Sequence, residues 1–235
     1  YGYDLYNRMT SYTNGEKSAS YTYDGNNLRQ SKTVNGVTTG HIWDGSDMVM
    51  ETFGGRTKKY YRGANGIAHA ELLGTVNYYL KDAHGDVTAL ADAAGTITRN
   101  YLYDAFGNEQ YTMADSNPFR YCGEYADRET GLLYLRNRYY DPSIGRFITE
   151  DPIRDGTNWY AYANNNPVMY IDPWGLDAIV ITNSNSVDLG PLGSQGHTSA
   201  IYQDANGSWY YTYWGNNAAA VIYLSLIHIS EPTRH

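Results

Sequence analysis

The sequence predicts an all-β fold in which consecutive β-hairpins lie side by side and extend one curled sheet. Three observations carry that expectation. The chain holds 26 Tyr but only 4 Phe, together with 24 Gly, a balance that suits aromatic strands joined by glycine turns. An aromatic-Asp pair recurs at Tyr3-Asp4, Tyr23-Asp24, Trp43-Asp44 and Tyr103-Asp104, with Asp82 adding a further step. Turn signals follow at a nearly constant offset, at Asn14-Gly15, Asn35-Gly36, Gly54-Gly55 and Ala94-Gly95.

Each unit of about twenty residues therefore reads as one hairpin, because Asn-Gly and Gly-Gly tolerate the positive φ of a two-residue primed turn. Within Tyr21-Thr22-Tyr23 and Tyr101-Leu102-Tyr103 the tyrosines at i and i+2 share one sheet face. A lone hairpin is marginal in water, so neighbouring units are expected to pair laterally and bury that face. Tyrosines whose hydroxyls stay wet would suit a wall around a cavity better than a dry core.

Composition removes several functions. With 17 Lys+Arg against 25 Asp+Glu the net charge is −8, which leaves no electrostatic footprint for nucleic acid. No internal stretch approaches the ~18 apolar residues of a membrane-spanning helix. The single cysteine, Cys122, excludes an intrachain disulfide and reads as a small buried hydrophobe. His41, His69, His84 and His197 lack paired ligand spacing, so no metal site is expected, and no cofactor is implied. Tyr1 already sits inside a repeat phrase, so the natural start is expected upstream. At the other end, 224–235 reads as the translation of a transposase-type sequencing adapter and is set aside as a scar.

The repeat phrases, among them Asp4-Leu5-Tyr6-Asn7-Arg8-Met9 and Asp104-Ala105-Phe106-Gly107-Asn108-Glu109, resemble the YD-repeat, or RHS-repeat, family. The resemblance strengthens from Asp127-Arg128-Glu129-Thr130-Gly131 through Tyr139-Tyr140-Asp141-Pro142 and Ile144-Gly145-Arg146-Phe147 to Ile171-Asp172-Pro173-Trp174-Gly175-Leu176, which matches the RHS repeat-associated core. The organisation this implies is hairpin repeats over 1–110, the core over 111–176, and the opening of a variable, toxin-like C-terminal domain over 177–223. The resemblance further implies a hollow shell wall, with the core as a plug, enclosing the chain's own C-terminal toxin, in a secreted or surface protein of a bacterium. An immunity protein or a delivery machinery would be its further partners.

Toxin-carrying members of that family cut themselves as aspartic autoproteases. By position the resemblance assigns Asp151 and Asp172 as the two carboxylates, Arg138 as the arginine beside them, and the bond between Leu176 and Asp177 as the scissile one. Two close carboxylates cannot both ionise, so one stays an acid while the other activates water. The chain departs from the family's Asp-Pro-x-Gly at Asp151-Pro152-Ile153-Arg154-Asp155-Gly156, which leaves Asp155 as an alternative to Asp151. Read without the resemblance, Asp-Pro and Pro-x-Gly are also ordinary turn formers.

In the C-terminal part Val180–Thr182 suits a first strand, and the runs flanking Asn206-Gly207 suit a hairpin. Gly196-His197 at the head of one run is loosely similar to permuted papain-like peptidases, which makes His197 a cargo candidate, although no cysteine follows it. The competing reading for the whole chain is a surface adhesion module that binds carbohydrate through exposed tyrosines.

Overall fold

The computed structural model describes residues 1–63, 66–110, 115–154 and 157–176 in full, and the backbone of six strands between Ile179 and Leu224. The first hundred residues form one antiparallel sheet whose strand order is the sequence order: β1 (Gly2–Tyr3), β2 (Met9–Asn14), β3 (Lys17–Tyr23), β4 (Arg29–Val34), β5 (Val37–Asp44), β6 (Asp47–Phe53), β7 (Arg56–Gly63), β8 (Gly66–Leu72), β9 (Thr75–Lys81), β10 (Val87–Ala91) and β11 (Ile97–Asn100). The expected curl is not found. The sheet is neither closed nor curled, and β1 and β11 are open edges.

Two kinds of turn alternate along much of this sheet, and the glycine signals account for only one. At Asn35-Gly36 the chain reverses in two residues, with φ of 47° and 83° and Val34 opposite Val37, as a primed turn requires. Gly54-Gly55 does the same between Phe53 and Arg56. At other corners an aspartate builds the turn, after a tyrosine at Asp4, Asp24 and Asp104 and after Lys81 or Ala91 at Asp82 and Asp92. Oδ1 of Asp4, Asp24, Asp82, Asp92 and Asp104 accepts the backbone N–H groups two and four residues on. The residue three positions on is left-handed in every case, as Asn7, Asn27, Gly85, Gly95 or Gly107. Asp-x-x-Asn/Gly is therefore the corner signature, since Asn and Gly tolerate that conformation. Ala94-Gly95 belongs to this class rather than to the two-residue turns. Asp44 is the exception: it pairs with Asp47 across a tight turn instead.

A second sheet contains β12 (Tyr125–Asp127), β13 (Leu132–Leu135), β14 (Arg138–Asp141) and β15 (Arg146–Phe147). All four residues of β13 are buried, as expected of an apolar run covered on both faces. Leu132 and Tyr134 join Met9, Tyr21, Met48, Tyr60 and Ile67 of the large sheet in one core. Leu133 and Leu135 face the other way, toward Tyr121, Phe147 and Tyr162. Farther on, β16 (Ile179–Ile181) pairs with β19 (Ser199–Gln203), which forms a hairpin with β20 (Trp209–Gly215) around the Asn206-Gly207 signal. β21 (Ala218–Leu224) adds the last strand and takes in Leu224, the first residue of the expected scar. β17 (Val187–Asp188) and β18 (Ser194–Gln195) form a separate pair.

The two sheets meet through a polar network as well as an apolar one. Arg29 and Asp127, both 0% exposed, form an ion pair. The guanidinium lies 4.4 Å from the ring centre of Tyr134 and 4.9 Å from that of Tyr125. Lys32 Nζ reaches Asp127 at 2.9 Å and Glu129 at 3.2 Å, and the Tyr21 hydroxyl donates to Glu129 at 3.0 Å. Tyr60 and Tyr125 both donate to Glu51, Tyr79 to Asn117, and Tyr101 to Asp115. These inner tyrosine hydroxyls each bond to a protein group.

Gly36→Val should cost ~1 kcal/mol or more, because a β-branched residue resists a φ of 83° even though open space surrounds the position. An unchanged urea midpoint would contradict the turn assignment. Asp127→Ala should cost more, about 3–5 kcal/mol, since it strands the buried Arg29 charge. The same denaturation series, run with Arg29→Met and the double variant, should show strong non-additivity between the two positions.

Candidate functional site

The site is built where β14 begins. Arg138 is 2% exposed, Asp151 1% and Asp172 2%. Their side chains converge on one nitrogen: Arg138 Nη2 lies 3.5 Å from Asp172 Oδ2 and 3.9 Å from Asp151 Oδ2. The guanidinium is seated 3.6 Å over the Phe147 ring, and its Nη1 donates to the Trp159 carbonyl at 3.0 Å. That carbonyl also accepts the Asp151 N–H at 3.0 Å, so one backbone group positions both partners.

Each aspartate stands at a turn. Asp172 repeats the sheet-corner device: its Oδ1 accepts the Leu176 N–H at 3.1 Å, and Gly175, three residues on, has a φ of +63°. Only glycine fits there, because a Cβ would lie 3.0 Å from both Leu135 O and Arg138 N. Three consecutive residues grip this turn. Arg136 donates to Pro173 O, Asn137 to Trp174 O, and Arg138 Nε to Gly175 O. Asp151 keeps half of the pattern: its Oδ1 accepts the Ile153 N–H at 2.8 Å, and Arg154 takes the left-handed place with a φ of 57°. The departure from Asp-Pro-x-Gly is thus absorbed by Arg154 in the position of the glycine, and Asp151 faces Arg138. Asp155, His197 and Asp177 lie outside the described residues.

Burial pushes the Asp172 carboxyl from its ordinary 3.8 up to about 6. Arg138 and the N–H groups of Leu176 and Trp174 oppose the rise, and the neighbouring Asp151 adds to it. A buried acid that keeps its proton up to about pH 6 and a second carboxylate across one guanidinium give the cluster two carboxyl groups able to exchange protons, beside a backbone turn that ends on Leu176.

A second cluster of chemical groups stands where the sequence predicts no metal constellation. His84, at the β9–β10 corner, has Nδ1 3.0 Å from Asp86 Oδ1 and 3.8 Å from Cys122 Sγ. The spacing His-x-Asp is weak by itself, and the third group arrives from 36 residues beyond Asp86, so only tertiary structure assembles it. Cys122 is half-buried and packs against the core around Tyr121 and Tyr162.

Comparison with known proteins places these features in a family. The family profile described as Teneurin YD-shell matches residues 57–168. The chain is 39% identical over 203 residues to the tRNA3(Ser)-specific nuclease WapA of Bacillus spizizenii, covering 78% of this chain and 9% of that protein. The chain is a YD-shell repeat protein of the RHS type. This YD-shell chain is also 36% identical over 154 residues to the double-stranded DNA deaminase toxin A of Burkholderia cenocepacia, across 62% of the chain and 10% of the relative. The crystal structure of TcdB2-TccC3 superposes with a TM-score of 0.58 at 21% identity, covering 74% of this chain and 10% of that one. The Photorhabdus luminescens Tc holotoxin pore gives 0.54 at 18% identity, over 83% and 10%. These two structural likenesses establish the shared fold. The YD-shell chain therefore spans about a tenth of the length of these two relatives.

The raised Asp172 pKa has a defined consequence for stability. Between about pH 4 and 6 the folded carboxyl holds a proton that the unfolded one has released, so its contribution to stability falls as pH rises through that window. Asp172→Asn should gain on the parent by roughly 2–3 kcal/mol between pH 4 and pH 7, since each pH unit separating the folded and unfolded pKa values is worth about 1.4 kcal/mol, and the gain should level off above pH 7. Parallel denaturant titrations of parent and variant would measure this difference, and a difference independent of pH would contradict a raised Asp172.

Proposed function

We propose that this chain is part of a shell that encloses and releases its own C-terminal toxin, and that Asp151, Asp172 and Arg138 cut the chain once between Leu176 and Asp177. The observation that carries this reading is the convergence of two buried carboxylates on Arg138 Nη2, with the Leu176 N–H held by one of them. Below about pH 6 Asp172 holds a proton and acts as the acid, and Asp151 acts as the base. Water attacks the Leu176 carbonyl as Asp151 takes its proton, and Asp172 protonates the departing Asp177 nitrogen. Arg138 stabilises whichever carboxylate is charged and, through the Gly175 carbonyl, keeps the strand next to the bond in place.

In this reading 1–110 is wall, 111–176 is plug, and 177–223 opens the cargo, in a secreted or surface protein of a bacterium. The tyrosine distribution supports a shell over an adhesin. Tyr21, Tyr60, Tyr79, Tyr101, Tyr125, Tyr134 and Tyr139 are buried between the sheets, so that face offers no adhesive platform, while Tyr6, Tyr61 and Tyr78 are exposed elsewhere.

The decisive experiment is intact-mass analysis of the whole protein with complete shell and C-terminal domain. The parent should yield a new N-terminus at Asp177, Asp151→Asn or Asp172→Asn should abolish it, and Arg138→Ala should slow it by at least tenfold. An uncut parent, or cutting that survives in both Asn variants, overturns the proposal. Loss of cutting in Asp155→Asn alone would transfer the role of Asp151 to that residue.

A further inference from the structure

The sheet corner between β9 and β10 carries three ligand types that the cleavage reading does not use. His84 Nδ1, an Asp86 carboxylate oxygen and Cys122 Sγ all lie within 4.8 Å of one another. A tetrahedral ion with bonds of roughly 2.0 Å to nitrogen and oxygen and about 2.3 Å to sulfur places N and O roughly 3.3 Å apart and N and S about 3.5 Å apart. The observed 3.0 Å and 3.8 Å each lie within about 0.3 Å of that geometry. Backbone bonds hold the three groups together. Asp82 Oδ1 accepts the N–H groups of His84 and Asp86, which fixes the corner. Asp86 Oδ1 accepts the Cys122 N–H at 2.7 Å, which ties the corner to the 3-10 turn Tyr121–Gly123. Cys122 itself is held left-handed, with φ of 53°, a conformation unfavourable for a residue other than Gly, Asn or Asp.

A proton on Nδ1 points along a single direction and so serves either Asp86 or Sγ. A cation between the three serves all of them. We propose that His84, Asp86 and Cys122 form a three-ligand site for a borderline divalent cation of the Zn2+ class, which staples the β9–β10 corner of the sheet to the core. The mixed N, O and S donor set selects such an ion over Mg2+ or Ca2+, which prefer all-oxygen shells. The fourth position is left for water, bordered by the Tyr162 hydroxyl, which stands 3.5 Å from Sγ.

The test uses the 235-residue chain, freed of metal by chelation and titrated with Co2+ and then with Zn2+. Because Cys122 is the only cysteine, a thiolate-to-cobalt charge-transfer band reports this site alone and is blind to histidines elsewhere. The band should saturate at one equivalent, vanish in Cys122→Ser, and need at least tenfold more Co2+ in His84→Ala and Asp86→Asn. Zinc should raise the melting temperature of the parent and not of Cys122→Ser. X-ray absorption at the zinc edge of the loaded parent depends on no variant's folding, and should show one sulfur among nitrogen and oxygen neighbours. Absence of the band, a band unchanged in His84→Ala and Asp86→Asn, or a zinc shell without sulfur overturns the site.

Discussion

Arg29 is the point on which the two sheets depend. A single open sheet exposes one apolar face, and that face is stable only when something covers it. The cover here comes from 98 residues away, as Asp127 meets Arg29 with no water between them. An ion pair stripped of solvent is weak evidence of net stability, but it is unforgiving about position, because either partner alone would be a buried charge. The rings of Tyr21, Tyr125, Tyr134 and Tyr139 around the guanidinium accept the cation that water no longer solvates. The Arg29 N–H donates to the Tyr134 hydroxyl and the Arg29 guanidinium to the Tyr139 hydroxyl, so strand β4 cannot slide against the second sheet without losing several bonds together.

That lock has a consequence for the cluster of Arg138, Asp151 and Asp172. β13 and β14 are buried on both faces, one side against the large sheet and the other against Phe147 and Tyr162. The loop between them, Arg136-Asn137, leads into Arg138, and these three residues hold the carbonyls of Pro173, Trp174 and Gly175 in turn. Arg136 also donates to Ser46 O and pairs with Glu124 at 2.8 Å, which fixes the clamp to the large sheet. The position of Leu176 is therefore inherited from the packing of the whole assembly.

The same aspartate turn serves opposite electrostatic ends in different places. At Asp104 the carboxylate accepts N–H groups near solvent, those bonds outweigh its burial, and its pKa is lowered. Asp172 accepts the equivalent Leu176 N–H, yet its pKa is raised to about 6, because the loss of water outweighs the bonds and the nearby arginine. The corner that caps a hairpin becomes a proton-holding group when it is moved inside.

Much of the fold is legible in the sequence. The all-β class, the hairpin repeat and the two-residue turns at Asn35-Gly36 and Gly54-Gly55 are local matters, decided by alternation and by which residues tolerate positive φ. The corners are written there too, as Asp-x-x-Asn/Gly, but the more familiar glycine turns mask them. Resemblance names Asp151, Asp172 and Arg138, yet nothing in 138, 151 and 172 as positions says that they meet at one nitrogen. Tertiary structure decided that convergence, the Arg29–Asp127 lock and the gathering of His84 and Asp86 with Cys122. It also decided which protein groups the buried tyrosine hydroxyls bond. The physical reason is common to all of these: burial and charge pairing depend on which surfaces come together, and that depends on how one sheet covers another rather than on the order of residues along either.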